Sequence, residues 1–334
     1  MRSKLAMKMI VVVLASIAHS AWAEEECSLS TVGRSLGTKQ QALLNCSVVD
    51  YPNATDTAIG SINASGDFAG EYIVAGRPYG FINTAGEFTS VDYPNSTSTI
   101  VYGLNDYGDS AGTYRVPDTT AHGFVRDGSG AFTAIDFTGA PNTRLRGIDN
   151  EGLISGDYCD EVDLARCNFS GMTSGIRHGF TLANDNFNVI DVPDSTYTET
   201  WGHSIGTGET FGRYRDFSGH SHLYVLNTDG TFNTIDFPGA VETAYGNYND
   251  VGGINNSGDI ASAYCSAAPC PVTSADIPQH PGVVHGGILT HCGRFFTVDY
   301  PGAAGTILFG VNDDRQVVGA IVTADGHSRG LLCQ

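Results

Sequence analysis

Histidine and aspartate recur in this sequence at a separation that raises the question of acid–base chemistry. The stretch HGFVRDGSGAFTAID, residues 122–136, begins with a histidine and ends with an aspartate. A carboxylate beside an imidazole orients it and stabilises its protonated form, as general base catalysis requires. Four such pairs occur 13 or 14 residues apart: His122 with Asp136, His178 with Asp191, His222 with Asp236, and His285 with Asp299.

The number of copies favours a structural interpretation of these pairs. Two further copies have Tyr79 before Asp92 and Arg329 for Asp50, so the chain holds six in all. Tyrosine and arginine share hydrogen-bond donation with histidine but not its basicity near neutral pH. A reaction needs one site, so we interpret the pair as a repeated contact between neighbouring strands.

A second group of residues departs from the repeated pattern and could bind a ligand. The stretches TETWGHSIG and GRYRD, together with two arginines upstream, gather positive charge in a chain of 17 Lys and Arg against 36 Asp and Glu. Arginine makes bidentate contacts to a carboxylate, and an indole ring can stack on a sugar. The predicted ligand-binding residues are Arg144, Arg146, Glu199, Trp201, His203, Arg213 and Arg215.

Two interpretations of this second group remain open. In the first, the arginines and Trp201 form a pocket for an anionic or polyhydroxylated ligand. In the second, each arginine pairs with an acid such as Glu199, Asp216 or Asp160, and Trp201 fills space between structural units.

Six repeated units must position these residues. They open at Val49, Val91, Ile135, Ile190, Ile235 and Val298, as in VDYPNATDTAIGSINASGDFAGEY, and their aspartates are 42, 44, 55, 45 and 63 residues apart. Short apolar and aromatic runs alternate with Gly, Asn and Asp turns, so each unit predicts four strands, a to d. A period in the low forties with four strands is typical of a β-propeller blade. We predict an all-β, six-bladed β-propeller of four-stranded blades.

The ends of the chain predict how the ring closes. The last unit stops after strand c, in HSRGLLCQ, and the missing strand d stands near the other end, in LLNCSVVDYP. Alignment of this split blade with the hairpin that pairs Asn83 and Phe88 places Cys46 opposite Cys333, within disulfide reach. The N-terminal strand should therefore complete the last blade.

Two long insertions indicate where function lies. They connect strands b and c, from Cys159 to about residue 177 in blade 3 and from Cys265 to about residue 284 in blade 5. Both rise from the face at which strand a begins, and we expect a binding site there over blades 3 to 5. Local disulfides are expected for Cys159–Cys167 and Cys265–Cys270, which leaves Cys27 and Cys292 to pair by elimination.

The repeated motifs resemble those of the bacterial extracellular HAF repeat family. The resemblance rests on HGF, GxFTxIDxPGA and GINxxGDIxG, as in HGFVRDGSGAFTAIDFTGA and GGINNSGDIASAY, and covers nearly all of the chain that would follow a signal peptide. It implies an exported repeat protein and supports the propeller prediction. It implies no catalytic residues.

The N-terminal segment and the net charge limit where the protein can be located and what it can bind. Residues 1–23 have a basic start, an apolar run and a small-residue ending, which predicts a signal peptide; residues 24–43 would be a lead-in and residues 44–334 one propeller domain. We expect export to the periplasm or the cell exterior, without membrane insertion. A net charge of −19 disfavours nucleic acid as a partner. No motif for a cofactor or a metal stands out.

Two functions compete on this evidence. The first is an exported binding or interaction module, with a glycan, acidic glycans included, or another small polar molecule as its ligand. The second is a polysaccharide lyase or hydrolase acting on an anionic glycan, in which an arginine neutralises a uronate and His203 or Tyr214 exchanges protons. The binding module is preferred because no familiar catalytic constellation is present.

Overall fold

The computed structural model describes residues 40–41, 44–118, 120–159, 177–244, 252–271 and 273–334. Six sheets surround a central channel and form a six-bladed β-propeller, as predicted. In blades 1 to 5 the chain runs antiparallel from the innermost strand a to strand d, and in blade 6 the N-terminal strand takes the place of strand d. The predicted signal peptide, most of the lead-in and the blade 3 insertion lie outside the described residues.

The strands have the following bounds. Blade 1 contains Asp56–Ile62, Phe68–Val74, Arg77–Thr84 and Glu87–Val91. Blade 2 contains Ser98–Leu104, Ser110–Arg115, Ala121–Arg126 and Phe132–Ile135. Blade 3 contains Asn142–Ile148, Ile154–Cys159, Arg177–Ala183 and Asn186–Ile190. Blade 4 contains Ser195–His203, Thr210–Asp216, Ser221–Leu226 and Phe232–Ile235.

The last two blades depart from this regular form. Blade 5 has strand a in two pieces, followed by strands b to d: Glu242–Thr243, Gly253–Ile254, Ile260–Cys265, Val284–Leu289 and Phe295–Val298. Its insertion contains the 3-10 helix Ser274–Gln279, and Gln40–Gln41 pairs in parallel with its strand d. Blade 6 consists of Gly305–Val311, Val317–Val322, Ser328–Cys333 and the N-terminal strand Cys46–Val49.

Ring closure follows the predicted pairing. Cys46–Val49 runs antiparallel to Ser328–Cys333, with Cys46 directly opposite Cys333. The two cysteines form a disulfide with a Cα–Cα distance of 4.0 Å. Backbone hydrogen bonds in both directions between Asn45 and Gln334 continue the ladder by one residue. The bond closes a loop of nearly the whole chain, which removes much conformational entropy from the unfolded state.

The other cysteines agree with the predictions as far as they are described. Cys265 and Cys270 form the expected local disulfide. Cys159 and Cys292 are also disulfide-bonded. The partners expected for them, Cys167 and Cys27, lie outside the described residues, so those two pairings stay predictions.

The predicted cross-strand pairs are present in the outer part of the blades. Histidine Nδ1 lies 2.9 Å from Asp136 in blade 2 and 2.7 Å from Asp236 in blade 4 and Asp299 in blade 5. His178 and Asp191 are 3.0 Å apart, and Arg329 bonds Asp50. In blade 1 the donor to Asp92 is Arg77, at 2.8 Å, rather than the expected Tyr79, because the longer guanidinium reaches the carboxylate and covers the Tyr79 ring.

Threonine and asparagine side chains join each blade to the next. The threonine at the start of every strand a accepts a hydrogen bond from the backbone N–H of the residue that follows the repeated aspartate, as in Thr99 with Tyr93. At the other end of strand a, Asn63 donates to the Asn105 carbonyl of the next blade, and Asn312 donates to the Asn63 carbonyl. These contacts satisfy buried polar groups at both ends of the channel wall.

Strand a carries a β-bulge at the same position in blades 1, 2, 3, 4 and 6. The register against strand b shifts by one residue there, as between Leu145 and Gly147 in blade 3. A bulge leaves one residue unpaired and re-aims its side chain. The bulged residues are Gly60, Tyr102, Arg146, Trp201 and Phe309, and all of them line the central channel.

Candidate functional site

The positions beside the bulge set the chemistry of the channel mouth. Just before each bulge, one residue of strand a lies opposite one residue of strand b, and this cross-strand pair varies between blades. The pairs are Ala58 with Glu71, Ile100 with Thr113, Arg144 with Asp157, Glu199 with Arg213, and Ile307 with Ala320. Blades 3 and 4 therefore present opposite charges where blades 2 and 6 present uncharged side chains.

Glu199 is the centre of a buried arginine cluster, which consists of Arg144, Arg146, Arg177, Arg213, Asp157 and Glu199. The Glu199 carboxylate accepts hydrogen bonds from Arg144 at 2.8 Å, Arg177 at 2.6 Å and Arg213 at 2.9 Å. The Trp201 indole N–H also donates to it, at 3.3 Å. Glu199 is fully buried, so its charge is stabilised by these donors instead of by water.

Asp157 is the second carboxylate of the cluster. It accepts from Arg144 at 2.7 Å and from Arg146 Nε at 3.0 Å. Burial tends to raise the pKa of Glu199, but the facing guanidiniums, led by Arg213, outweigh burial and hold that pKa well below its usual range. Charge-assisted pairs of this kind tie blades 3 and 4 together at the channel mouth.

The structure brings four of the predicted ligand-binding residues into this cluster: Arg144, Arg146, Glu199 and Arg213. The interpretation in which arginines pair with an acid describes Arg144 and Arg213, both bonded to Glu199. The pairs share one buried network, and this distinguishes them from separate surface ion pairs. Arg177, which completes the network, stands at the end of the blade 3 insertion, and the sequence analysis did not include it.

The remaining predicted residues are not charged members of the cluster, although Trp201 touches it through its bond to Glu199. Trp201 is only 3% exposed and packs edge-on against Phe211. His203 is the last residue of its strand a, so it lies toward the opposite face, where its Nδ1 is 3.0 Å from Asp149. Arg215 lies over the Tyr197 ring.

Tyr214, the other weak catalytic candidate, is also away from the cluster's carboxylates. Its hydroxyl is hydrogen-bonded to Thr234 at 2.9 Å, and its ring stacks on His222. The structure does not bring Tyr214 and His203 together.

A cavity of about 290 Å³, here called the face cavity, opens where strand a begins. Blades 1, 2 and 6 supply most of its wall, and Thr273–Ile277 of the blade 5 insertion complete it. One predicted insertion thus lines a cavity on the expected face. The seven predicted ligand-binding residues are not part of its lining, which is mainly apolar with Glu71, Asp56 and His327 among its polar members.

Glu71 and Tyr102 are the chemically distinctive residues of the face cavity. Glu71 is 9% exposed, and Tyr102 is 4% exposed. Burial raises the pKa of Tyr102 to about 12, although Arg146, Arg144 and Arg115 act in the opposite direction. The phenol therefore stays protonated near neutral pH and can donate a hydrogen bond.

Sequence reasoning missed Glu71 and Tyr102, although a signal was present. Tyr102 holds the bulge position of Arg146 and Trp201, and Glu71 holds the strand b position of Asp157 and Arg213. The most conspicuous departures from the repeat lie in blades 3 and 4 and draw attention away from blades 1 and 2. A comparison of the same two positions in all six blades finds both residues.

A second cavity of about 120 Å³, here called the channel cavity, lies along the axis. Gly60, Tyr102 and Phe309 line both cavities, so the two adjoin at the ring of bulged residues. The channel cavity is lined by Arg146, Trp201 and His203 among others. Among the described residues, no group of three or more His, Cys, Asp or Glu side chains could hold a metal ion.

Comparisons with known proteins bear on the fold alone. No family model matches the chain, and no curated protein matches it. Solved structures similar to it include TolB from Acinetobacter baumannii (TM-score 0.48, 11% identity) and a gluconolactonase from Xanthomonas campestris (TM-score 0.49, 8% identity). The lectin of Aleuria aurantia, in complex with a fucoside disaccharide, has a TM-score of 0.45 and 8% identity.

The matches cover most of this chain but different shares of the solved structures. The matches cover 85%, 87% and 82% of this chain, and 65%, 89% and 90% of the TolB, gluconolactonase and lectin chains. This chain thus spans slightly less than two thirds of TolB. The likenesses carry no argument about a ligand or a reaction.

Within the described part of the chain, no helix has the length and apolar character needed to cross a bilayer.

Proposed function

We propose that this protein is an exported binding module that holds a saccharide in the face cavity, acidic saccharides included. The observation that carries the proposal is the cavity itself, about 290 Å³ of mainly apolar wall with Glu71 and Tyr102 among its few buried polar groups. Sites for small molecules combine these properties and start at about 300 Å³.

The wall chemistry suits a polyhydroxylated ring. Ile100, Ile307 and Phe309 offer apolar contact to the C–H face of a sugar. The Glu71 carboxylate accepts hydrogen bonds from hydroxyl groups, and a bond to a charged acceptor is stronger than a neutral one.

The Tyr102 end of the cavity favours an acidic substituent. Arg146, Arg144 and Arg115 act electrostatically on the Tyr102 hydroxyl, and Glu71 acts in the opposite direction. A uronate carboxylate at this end would accept a hydrogen bond from the phenol, with the arginines of the cluster behind it. A neutral part of the same ligand would then contact Glu71.

Export is part of the proposal. The described cysteines are disulfide-bonded, and disulfides persist in oxidising compartments. The basic and apolar composition of residues 1–23 supports a signal peptide. We place the protein in the periplasm or outside the cell.

The catalytic alternative has less support from the geometry. His203 and Tyr214 do not line the face cavity, so neither can exchange protons with a ligand held there. The resemblance of the repeats to the HAF family stays a prediction and supports export rather than catalysis.

A glycan array run beside an activity screen on acidic polysaccharides tests the proposal. Calorimetry on any ligand found should show that Glu71→Gln weakens binding by about 1.5–3 kcal/mol, the range for a charge-assisted hydrogen bond. Tyr102→Phe should cost about 0.5–1.5 kcal/mol. Arg126→Ala, at the end of a strand c that leads to the opposite face, is the matched control and should bind normally. Unchanged affinity in both cavity variants would reject this site.

A further inference from the structure

The ring of bulged residues has an opening at Gly60. Tyr102, Arg146, Trp201 and Phe309 are between 1% and 6% exposed, because their side chains pack into the ring. Gly60, the bulged residue of blade 1, is partly exposed and lines both the face cavity and the channel cavity. The two cavities therefore meet over the surface of Gly60, where the other bulges place a side chain.

The backbone does not require glycine at residue 60. Gly70 on the neighbouring strand is required, because a Cβ there would lie 2.0 Å from the Ala58 carbonyl oxygen. A Cβ on Gly60 would lie 3.4 Å from the Val101 carbonyl oxygen, an ordinary contact, and Gly60 does not have a positive φ. A side chain would thus fit locally at this position, and what glycine provides is the open space beside it.

The channel cavity limits the size of a group that could enter it past Gly60. Its volume of about 120 Å³ corresponds to about four waters of about 30 Å³ each. A sugar ring with its hydroxyl groups is larger than this, whereas an acetamido group, with its amide and its methyl, is of matching size. The channel cavity therefore suits a substituent of a saccharide whose ring stays in the face cavity.

Backbone groups form much of the channel cavity wall. In blades 1 to 4 and 6, strand a is the inner edge of its sheet, so alternate N–H and C=O groups point toward the channel instead of toward a neighbouring strand. A glycine of each blade brings backbone without a side chain to the wall: Gly60, Gly103, Gly147, Gly202, Gly253 and Gly310. An amide group in the cavity can hydrogen-bond to such backbone groups.

The charges of the wall favour an uncharged group. The basic residues Arg146 and His203, which line the cavity, already pair with Asp157 and Asp149. A carboxylate in the cavity would be buried without a counter-ion of its own, which costs much more than burial of a hydrogen-bonded amide. The aliphatic side chain of Ile62 on the same wall offers apolar contact to a methyl group.

We propose that the face cavity binds a saccharide with a short uncharged acyl substituent, an acetamido group above all, and that Gly60 lets this substituent enter the channel cavity. The inference rests on the function proposed above and narrows its ligand to acylated sugars. The sugar ring contacts Ile100 and Ile307, and the substituent passes Gly60 beside the aromatic rings of Tyr102 and Phe309. A carboxylate on the same sugar stays in the face cavity at the Tyr102 end.

Matched sugars test the preference for the substituent. Calorimetry compares N-acetylglucosamine with glucose and N-acetylgalactosamine with galactose, since in each pair an acetamido group replaces one hydroxyl. In at least one pair the N-acetyl sugar should bind about tenfold more tightly, because burial of the methyl group and a hydrogen bond to the amide are gained together. Its N-hexanoyl analogue, whose chain exceeds the channel cavity, should lose this advantage.

The outcomes separate this inference from the proposed function. Equal affinities within both pairs would overturn the inference and leave the proposed function intact. If none of these sugars binds, the inference also fails, and the glycan array decides the proposed function separately.

Substitutions of Gly60 assign the preference to the opening. Gly60→Ala should reduce the preference for the N-acetyl sugar and Gly60→Val should abolish it, because the added side chain occupies the opening. Ala134→Val is the matched control, since it makes a similar change at an exposed position of a strand d, outside both cavities, and it should keep the preference. Thermal unfolding shows whether each variant is folded; if Gly60→Val is not, Gly60→Ala, whose methyl group makes ordinary contacts, carries the test. An undiminished preference in a folded Gly60 variant would contradict the proposal.

Discussion

The two halves of the channel mouth use the same backbone for different chemistry. Blades 3 and 4 place Arg144 opposite Asp157 and Glu199 opposite Arg213, whereas blades 2 and 6 place Ile100 opposite Thr113 and Ile307 opposite Ala320. The register and the bulge are the same in both halves. We call blades 3 and 4 the charged half and blades 6, 1 and 2 the apolar half, in which Glu71 of blade 1 is the one charged residue among these cross-strand pairs.

The difference shows that a few positions in each blade set the chemistry of the channel mouth. The bulged residue and its neighbouring cross-strand pair face the channel mouth, while the repeated Thr, Asn and His–Asp contacts hold the blade. A change at the variable positions therefore alters the cavity without altering the ring. The apolar half leaves open space, and the charged half fills its space with a network of ion pairs.

The largest effect should come from the centre of the charged half. Glu199→Gln removes a buried carboxylate that faces several guanidiniums, and we expect a loss of about 3–5 kcal/mol in the free energy of unfolding. Urea denaturation measures it. Asp136→Asn, in a partly exposed pair, is the control and should cost less than about 1 kcal/mol. Equal losses of stability in the two variants would show that the buried cluster stabilises the fold no more than an outer cross-strand pair does.

The same variant predicts a change in acid stability. Because the pKa of Glu199 is lowered in the folded state, its contribution is complete above the unfolded value of about 4.3 and is lost as the pH falls toward the folded value. Wild-type stability should thus decline in acid more steeply than that of Glu199→Gln. Parallel pH profiles from thermal unfolding would contradict the assignment.

Removal of the disulfide that closes the ring in blade 6 should give the next largest loss of stability. Cys46→Ala with Cys333→Ala opens the disulfide in blade 6, and we expect a loss of about 2–5 kcal/mol because the closed loop is very long. Removing Cys265–Cys270, which spans only five residues, should cost less on the same grounds. Urea titrations of the two double variants make the comparison; a larger loss for the local bond would reject the entropic explanation.

A smaller effect sharpens the comparison within one cross-strand pair. Asp157→Thr alone leaves Arg144 and Arg146 without their shared carboxylate, whereas Arg144→Ile with Asp157→Thr reproduces the pair of blade 2. We expect a coupling of about 1–3 kcal/mol, so that the double variant loses less than the sum of the single losses. A double-mutant cycle measures it, and strict additivity would show that the pair does not act as a unit.

The smallest effect is expected outside the channel. His122→Gln should cost about 0.2–1 kcal/mol, because His122 and Asp136 are both partly exposed and solvent weakens their interaction. Ligand affinity should not change. Loss of binding with an unchanged Tm would show that this repeated contact has a functional role.

Much of the fold could be predicted because the same residue pattern, with the same structural requirements, occurs six times in the chain. The turn glycines, the paired His and Asp, and the opposite positions of Cys46 and Cys333 each follow from spacing. The site was harder to predict, because its geometry depends on a bulge that the residue pattern of a single blade does not indicate. Arg144, Arg146, Glu199 and Arg213 were found because they break the repeat, but their burial in one network depends on how two blades meet.

His203 shows the limit of arguing from departures alone. It lies two residues after Trp201 and breaks the consensus equally, yet the strand carries it toward the opposite face. Tyr102 shows the converse, since an aromatic residue in a sheet looks ordinary until the bulge aims it at the channel. Direction along the strand, rather than residue type, separates the two.

Blade 6 also imposes an order of events on a chain that is made from its N-terminus. Cys46–Val49 is synthesised first among the strands of its sheet, but its partner Ser328–Cys333 comes last. Until then the N-terminal strand has an open edge, and so does the growing stack of blades, which makes both able to pair with another chain. When the final strand pairs with the N-terminal strand, the open stack of blades becomes a closed ring, and its two exposed ends are covered by each other.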